Sequence, residues 1–167
     1  MQKRELKEER LVPNYKKVYT PDTVQLDNID SLLNKNKIDQ GNCITILINS
    51  CKDLKADFYN YLIDWYGIIE ATDERLFYID IGNIARFMIW KFKSNETDCF
   101  NRIFVNAEII LKNGDAATQN LIVVGLFEGI QNIGSGHNVD YYQGFDKWLG
   151  PQSKKEWDNL IELWEGE

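Results

Sequence analysis

Apolar side chains recur at helical spacing along most of the chain from residue 42 onward. Two successive stretches place them at positions i, i+3, i+4 and i+7, which is the pattern of an amphipathic helix. They predict either two helices that bend at Asp53–Leu54 or one continuous helix, and Gly67 is predicted to cap its C-terminal end. The stripe residues are Ile44, Leu47, Ile48 and Cys51 in the first stretch and Phe58, Tyr61, Leu62 and Trp65 in the second.

The sequence before these stripes has a different character. Residues 1–43 are mostly polar and include Pro13 and Pro21. We therefore predict a polar, loosely ordered N-terminal extension over residues 1–43, with at most a short helix at residues 29–33. Residues 44–167 are predicted to form a single helical domain.

A short apolar run and a helical stripe follow each other between residues 76 and 93. The run Leu76–Ile79 is rich in aromatic residues, but no second segment matches it as a strand partner, so we interpret it as a buried connector. Asp80 is predicted to be the N-cap of the next helix. The core face of that helix would carry Ile81, Ile84, Ala85, Met88 and Phe92.

A tight corner is predicted between the two helices that come next. The first helix would be capped by Thr97 or Asp98 and would end at Gly114. Asp115 would start the second helix at once, so that the two helices lie antiparallel. The core stripe of the first helix would carry Phe100, Ile103, Phe104, Ala107 and Leu111.

Residues 120–130 are apolar almost all round, which predicts a central buried helix. Gly125 and Gly129 are four residues apart and would let a neighbouring backbone approach closely on one side of this helix. The loop at residues 134–138 is predicted to end it.

The last part of the chain predicts two helical pieces, at residues 141–149 and 153–165, divided by Gly150–Pro151. Ser153, with Glu156 three residues later, has the form of a capping box. The apolar face of the last piece would carry Trp157, Leu160, Ile161 and Trp164. About seven helices joined by short turns predict an all-α fold, either a stack of antiparallel helical hairpins or an irregular helical bundle.

Charge is distributed unevenly along the chain. The sequence carries 19 Lys and Arg against 26 Asp and Glu, for a formal charge of −7, yet residues 1–17 carry six basic and three acidic groups. The rest of the chain therefore has a formal charge of −10, which repels a phosphate backbone and attracts basic partners. We expect no nucleic-acid partner for this acidic body. The alternative explanation of the negative charge is that it only keeps the protein soluble.

The expected environment is the cytoplasm. No apolar run approaches the ~20 residues of a membrane span, and the charged N-terminus is unlike a secretion signal. Cys43, Cys51 and Cys99 show no CxxC spacing and have no histidine near them in sequence. Neither a zinc site nor a disulfide framework is indicated, and we predict that the three cysteines are reduced and buried.

Candidate catalytic residues are sparse. His137, the single histidine, lies in a Gly/Ser/Asn loop. It is interpreted as an exposed loop residue, because Ser135 and Asp140 are too close along the chain to complete a nucleophile–base–orienter triad with it. No nucleotide-binding, serine-hydrolase or zinc-protease motif occurs, so we predict a protein that is not an enzyme and needs no cofactor or metal.

Two acids interrupt apolar helices and are candidates for a carboxylate pair. Glu128 lies in the most apolar helix, where it should either pair with Arg86 or Arg102 or reach an exposed edge. Glu108 is the one comparable acid, but without ExxH partners the pair does not indicate a di-metal site.

The last 28 residues combine aromatic and acidic side chains. Aromatic anchors within an acidic rim suit a protein partner that has a basic patch. The alternative is that the aromatic residues belong to the core and the acids form a solvated face. The predicted partner-binding residues are Asp140, Tyr141, Tyr142, Asp146, Trp148, Asp158, Glu162 and Glu165.

Three segments carry a resemblance to a known family. They read LFYIDIGNIARF at residues 76–87, ATQNLIVVGLFEGIQN at residues 117–132 and LGPQSKKEW at residues 149–157. Together they resemble a family of small, uncharacterised bacterial all-helical proteins that are similar to toxin immunity proteins. The resemblance covers about residues 44–165 and implies a cytoplasmic protein that binds and neutralises a toxin. The acidic, aromatic-bearing surface would suit a basic toxin, such as a nuclease that attracts phosphate. A non-enzymatic helical scaffold or adaptor for another protein is the alternative function.

Overall fold

The computed structural model describes residues 38–66 and 76–166. Within these ranges the named elements are all helical, which confirms the predicted all-α bundle. The predictions for residues 29–33 and for Gly67 lie outside the described residues. In chain order the elements are α1 (Gln40–Ile48), α2 (Lys52–Tyr66), α3 (Phe77–Lys93), α4 (Phe100–Asn113), α5 (Ala116–Asn120), a π-helix (Leu121–Phe127), α6 (Glu128–Gly136), a 3-10 turn (Asp146–Trp148) and α7 (Pro151–Glu165).

The centre of the bundle is formed by α3 and by the continuous run of α5, the π-helix and α6. α3 packs along the π-helix and α6, α4 packs against α1 and α7, and α2 packs on α3. Buried aromatic rings join α4, the π-helix and α7, since the ring of Phe104 lies 6.3 Å from Phe127 and 6.5 Å from Trp157. The predicted core stripe of α4 is buried throughout, as expected for its helical spacing.

Two glycines allow α3 to lie close to the central run, as predicted. A Cβ atom added at Gly125 would lie 2.5 Å from Cγ2 of Ile81, and one added at Gly129 would lie 3.2 Å from Cβ of Ala85. The two glycines therefore face α3, and side chains of α3 occupy the space beside them.

The variant Gly125→Ala is expected to destabilise the fold by about 1–3 kcal/mol, because the added methyl group overlaps the branched side chain of Ile81. The matched control is Gly82→Ala in α3, where an added Cβ meets nothing within 4 Å. Alanine there should stabilise the protein by about 0.5–1 kcal/mol through helix propensity. Urea denaturation of both variants measures the two effects, and equal shifts in the same direction would refute the close approach.

The corner between α4 and α5 is confirmed. Gly114 follows the last residue of α4, and the carboxylate of Asp115 accepts hydrogen bonds from the backbone N–H of Thr118 at 2.8 Å and from its hydroxyl at 2.6 Å. These two hydrogen bonds lower the pKa of Asp115. Ile38 is buried and forms an isolated parallel bridge with Gly114, so the described core includes a residue that precedes the predicted domain start at residue 44.

The first two helical stripes belong to separate helices. α1 begins at Gln40, where the carboxylate of Asp39 accepts the backbone N–H of Asn42 at 2.8 Å. The chain then leaves the helix at residues 49–51, so the break comes just before Asp53. The spacing allowed either two helices or one continuous helix, and the structure has two helices.

The start of α3 differs from the prediction. Leu76 is the N-cap and Phe77–Ile79 form the first helical turn, with Leu76, Tyr78 and Ile79 exposed, so the interpretation as a buried connector is wrong. Asp80 is not the cap, because it is fully buried one turn inside the helix, where it accepts a hydrogen bond from the Tyr61 hydroxyl at 2.6 Å. The Asp80 carboxylate therefore binds a distant side chain and does not cap the N-terminus of α3.

Local capping also fails before α4. Neither Thr97 nor Asp98 is the cap; the N-cap is Cys99, whose side chain makes no capping bond. The backbone closes the turn instead, since the N–H of Phe100 donates to the carbonyl of Thr97 at 3.0 Å.

The segment between α6 and α7 is less helical than predicted. α6 continues to Gly136 and so includes the first three residues of the expected loop. Residues 141–145 are turns that lead into the 3-10 turn, not a helix. The carboxylate of Asp140 accepts the backbone N–H groups of Tyr142 and Gln143 at 3.1 and 3.3 Å. Such a local turn competes with helix formation.

The cysteine prediction holds for one residue of three. Cys43 is buried and unpaired, and its burial, together with the charge of Asp39, raises the pKa of the thiol. Cys51 and Cys99 form a disulfide, with Cα atoms 5.9 Å apart, so the prediction that they are reduced is wrong. They are 48 residues apart in sequence, and packing brings them together because each lies directly before a helix, α2 and α4 respectively.

Candidate protein-binding site

The two segments that supply the predicted partner-binding residues lie against each other. The indole N–H of Trp157 in α7 donates to the carbonyl of Tyr141 at 2.8 Å. The Tyr142 hydroxyl donates to the Glu165 carboxylate, and this hydrogen bond raises the pKa of the phenol. The rings of Tyr141 and Tyr142 stack with their centroids 4.7 Å apart. Turn residues 140–142 and the end of α7 therefore form one surface.

Part of the predicted set is exposed on this surface. Tyr142 is 46% exposed, and the last turn of α7 adds Leu163 and Trp164 at 67% and 53%. Leu163 was missed because it lies off the apolar stripe of α7, and Trp164 was assigned to that stripe although it is exposed. We define the C-terminal surface as Asp140, Tyr142, Glu162, Leu163, Trp164 and Glu165, all of which are exposed.

Other aromatic residues of the last segment belong to the core. Phe145 and Trp157 are fully buried, with ring centroids 5.3 Å apart. Trp148 is half-buried at the edge of this cluster, 4.9 Å from the ring of Phe100. The Lys147 ammonium lies 4.4 Å from the centroid of Trp148. Core packing accounts for the burial of Phe145 and Trp157, whereas Trp148 keeps part of its ring accessible.

Two of the predicted acids, Asp146 in the 3-10 turn and Asp158 in α7, are paired with Lys154 of α7. The Lys154 ammonium donates to Asp158 at 2.7 Å and to Asp146 at 3.0 Å. These hydrogen bonds raise the pKa of Lys154, and the one to Asp158 has the larger effect. The pairing partly neutralises Asp146 and Asp158, which leaves the unpaired negative charge at the end of α7.

The position of α7 is set by an acid on α4. Glu108 is 8% exposed, and its carboxylate accepts the backbone N–H groups of Gln152 and Ser153, each at 2.8 Å, and the Ser153 hydroxyl at 2.5 Å. A Cβ atom on Gly150 would lie 2.6 Å from Cδ of Glu108, so only glycine leaves room for this carboxylate. The predicted capping box is wrong, because Ser153 donates to Glu108 and the cap comes from another helix.

The electrostatics of Glu108 fit this capping role. Burial alone raises the pKa of Glu108, but the hydrogen bonds from Ser153 and the backbone, with the charge of Lys112, outweigh it and lower the pKa. Glu128, the other acid of the candidate carboxylate pair, is half-buried at the edge of its helix. The described residues give it no ion pair with Arg86 or Arg102. The exposed-edge alternative therefore describes Glu128.

The sequence candidates for chemistry lie at three places in the bundle: Glu108 is in α4, Glu128 begins α6, and His137 directly follows α6. His137 is exposed, as predicted, with its ring 5.2 Å from that of Trp90 and its Nδ1 3.5 Å from the Lys93 ammonium. Residues 38–66 and 76–166 contain no cluster of three or more metal-ligating side chains. In the same part of the chain, no helix is both long and apolar enough to cross a bilayer.

The fold and this surface define an all-α bundle in which exposed aromatic and acidic side chains meet at the end of the last helix. The chain belongs to the family described as Domain of unknown function (DUF7674), whose family model matches residues 44–165. Comparisons with curated proteins and with solved structures gave no match.

Proposed function

We propose that this protein is a cytoplasmic immunity-type inhibitor that binds and neutralises a bacterial toxin through the C-terminal surface. The observation that carries the proposal is the exposure of Tyr142, Leu163 and Trp164 beside Glu162 and Glu165. Large exposed apolar side chains within a charged rim are typical of protein-binding sites.

The charge of the surface favours a basic partner. Among the described residues, Asp140, Glu162 and Glu165 take part in no ion pair. Asp140 and Glu165 accept hydrogen bonds only from neutral groups, which leave their negative charge to attract a partner. Opposed charges speed association, and aromatic anchors that become buried slow dissociation. An inhibitor that must act before a toxin reaches its target needs both properties, and a nuclease that attracts phosphate has the basic surface to match.

The rigid support of the surface also favours binding. Glu108 holds the start of α7, and Trp157 joins the helix to the turn that carries Tyr142. A surface that is ordered before binding loses less conformational entropy on association.

The test begins by identifying the partner. A photo-crosslinking amino acid placed at Tyr142 in the full chain would capture the bound protein in the source bacterium for identification by mass. We expect the captured protein to be a toxin. We also expect the purified full-length chain to suppress its activity at a 1:1 ratio. A captured housekeeping protein with no toxic activity would contradict the immunity function and support the adaptor alternative.

With the toxin identified, the variant Glu162→Lys, Trp164→Ala is expected to raise the dissociation constant by about 100-fold, because it removes an anchor and reverses a charge of the rim. The matched control is Asp98→Lys, which reverses an exposed acid in the turn before α4. Calorimetry at low and high salt measures both variants, with circular dichroism to check that helix content is unchanged. Equal affinities for the two variants would refute the assignment of the surface.

A further inference from the structure

A second concave site lies between α2 and α3, on helices that do not carry the C-terminal surface. It encloses about 280 Å³ and is lined by Asp57, Asn60, Tyr61, Asp64, Trp65 and Asn83. We call it the α2–α3 groove. α2 packs on α1 and α3, whereas α7 packs on α4 and the π-helix, so the groove and the C-terminal surface are separate.

One wall of the groove is an aromatic platform. Trp65 is 56% exposed although it was expected on the core stripe of α2. Its ring lies nearly parallel to that of Tyr61, with an interplanar angle of 23° and centroids 6.4 Å apart. The hydrogen bond from Tyr61 to the buried Asp80 fixes the orientation of the tyrosine. The platform therefore presents an exposed π face that is supported from beneath.

Two carboxylates flank this platform. Asp57 and Asp64 are seven residues apart on α2, which places them two helical turns or about 10 Å apart. Asp64 is exposed, and Asp57 is half-buried and oriented by a hydrogen bond from the Asn83 side chain at 3.0 Å. Of the described residues that line the groove, none is cationic.

Burial raises the pKa of Asp57, although the hydrogen bond from Asn83 and the charge of Lys91 act in the opposite direction. A half-buried carboxylate of this kind gains more from an arriving cation than a solvated one does, because the interaction is less screened by water. The site thus combines a π face, two anionic groups and the side-chain oxygens of two asparagines.

We propose that the α2–α3 groove binds an arginine side chain presented by a partner protein. A guanidinium is planar, stacks on aromatic rings and donates several hydrogen bonds to carboxylates, whereas an ammonium matches only the charge. An arginine within a chain fits better than free arginine, because the free amino acid would bring its own carboxylate close to Asp57 and Asp64. This surface goes beyond the proposed function and does not depend on it.

The experiment uses the full-length, 15N-labelled protein and the blocked tripeptide acetyl-Gly-Arg-Gly-amide. The Trp65 indole N–H resonance, identified with a Trp65→Phe variant, reports binding. We expect the arginine peptide to shift this resonance and the amides of residues 57–65. The lysine peptide and free arginine should bind about fivefold or more weakly, and the neutral isostere with citrulline should not bind at these concentrations.

The variants Asp64→Asn and Asp57→Asn are each expected to weaken binding of the arginine peptide by about tenfold, which is the scale of one charge-assisted hydrogen bond. Asp98→Asn, in the turn before α4 and outside both surfaces, is the matched control and should leave the affinity unchanged. Asp64 is exposed, so its variant should fold even if the Asp57 variant does not. An unshifted Trp65 resonance, equal binding of the citrulline peptide, or an Asp64→Asn variant of unchanged affinity would overturn the proposal.

Discussion

The double variant Cys51→Ser, Cys99→Ser is expected to lose about 2–4 kcal/mol of unfolding free energy. The disulfide joins residues 48 apart in sequence and holds the start of α2 beside the start of α4. Cutting it frees a long loop in the unfolded chain, which gains conformational entropy. The Cα separation of 5.9 Å lies in the usual range for a disulfide, so the bond forms without a backbone shift.

Guanidinium denaturation of the oxidised protein and of the double variant measures this loss. Dithiothreitol should lower the midpoint of the oxidised protein towards that of the variant and should leave the variant unchanged. A thiol-reactive dye added to the unfolded, unreduced protein should detect Cys43 alone. Three reactive thiols, or coincident unfolding curves, would show that the bond does not form.

The same experiment bears on the proposed cytoplasmic site of action. Glutathione and thioredoxin keep most cytoplasmic thiols reduced, so a cytoplasmic protein would work without the stabilisation that this bond provides. Trapping free thiols in intact cells before lysis would show which form is present. An oxidised pair in those cells would contradict the cytoplasmic location.

Removing the cap of α7 is the second change with a large expected effect. The variant Glu108→Ala should destabilise the protein by about 2–4 kcal/mol at neutral pH, because it leaves two backbone N–H groups and the buried Ser153 hydroxyl without their acceptor. α7 also carries the exposed Trp164, so the same change should weaken partner binding if the C-terminal surface is the binding site.

The effect should depend on pH in a defined direction. The pKa of Glu108 is lowered in the folded protein from its ordinary value of 4.5. The unfolded chain therefore takes up the proton first as pH falls. The stabilisation from the charged carboxylate is complete above that ordinary value and is lost as pH falls through the lower, folded-state pKa.

Urea titrations at pH 7 and pH 3 test this with a matched pair of variants. Glu108→Gln should destabilise strongly at pH 7 and less at pH 3, because acid removes the wild-type advantage. Glu128→Gln changes a half-exposed acid that caps nothing, and it should stay within about 0.5 kcal/mol of wild type at pH 7. Similar losses for both variants at pH 7 would contradict the capping role of Glu108.

The C-terminal surface was predictable in part. Sequence alone pointed to the acidic and aromatic character of the last 28 residues, and packing brings Tyr142 against Glu165. The same pattern could not separate Trp157, which is fully buried, from Trp164, which is exposed two turns later on the same helical face. The two tryptophans are seven residues apart on an apparently continuous apolar stripe. Where the core ends along this stripe depends on how far the neighbouring helices extend. The α2–α3 groove was missed for the same reason, since Trp65 reads as a core residue by spacing.

The sequence by itself determined the features that depend on residues close together in the chain. The helical stripe of α4, the corner at Gly114 and Asp115 and the small residues that face α3 all follow from periodicity, capping chemistry and side-chain size, which act over a few residues. Only the tertiary structure decided that Cys51 meets Cys99, that Tyr61 reaches Asp80 and that Glu108 caps α7. These contacts join residues 19 to 48 positions apart. They depend on how whole helices pack. A local sequence pattern does not identify which distant side chain will form a hydrogen bond with a buried polar group.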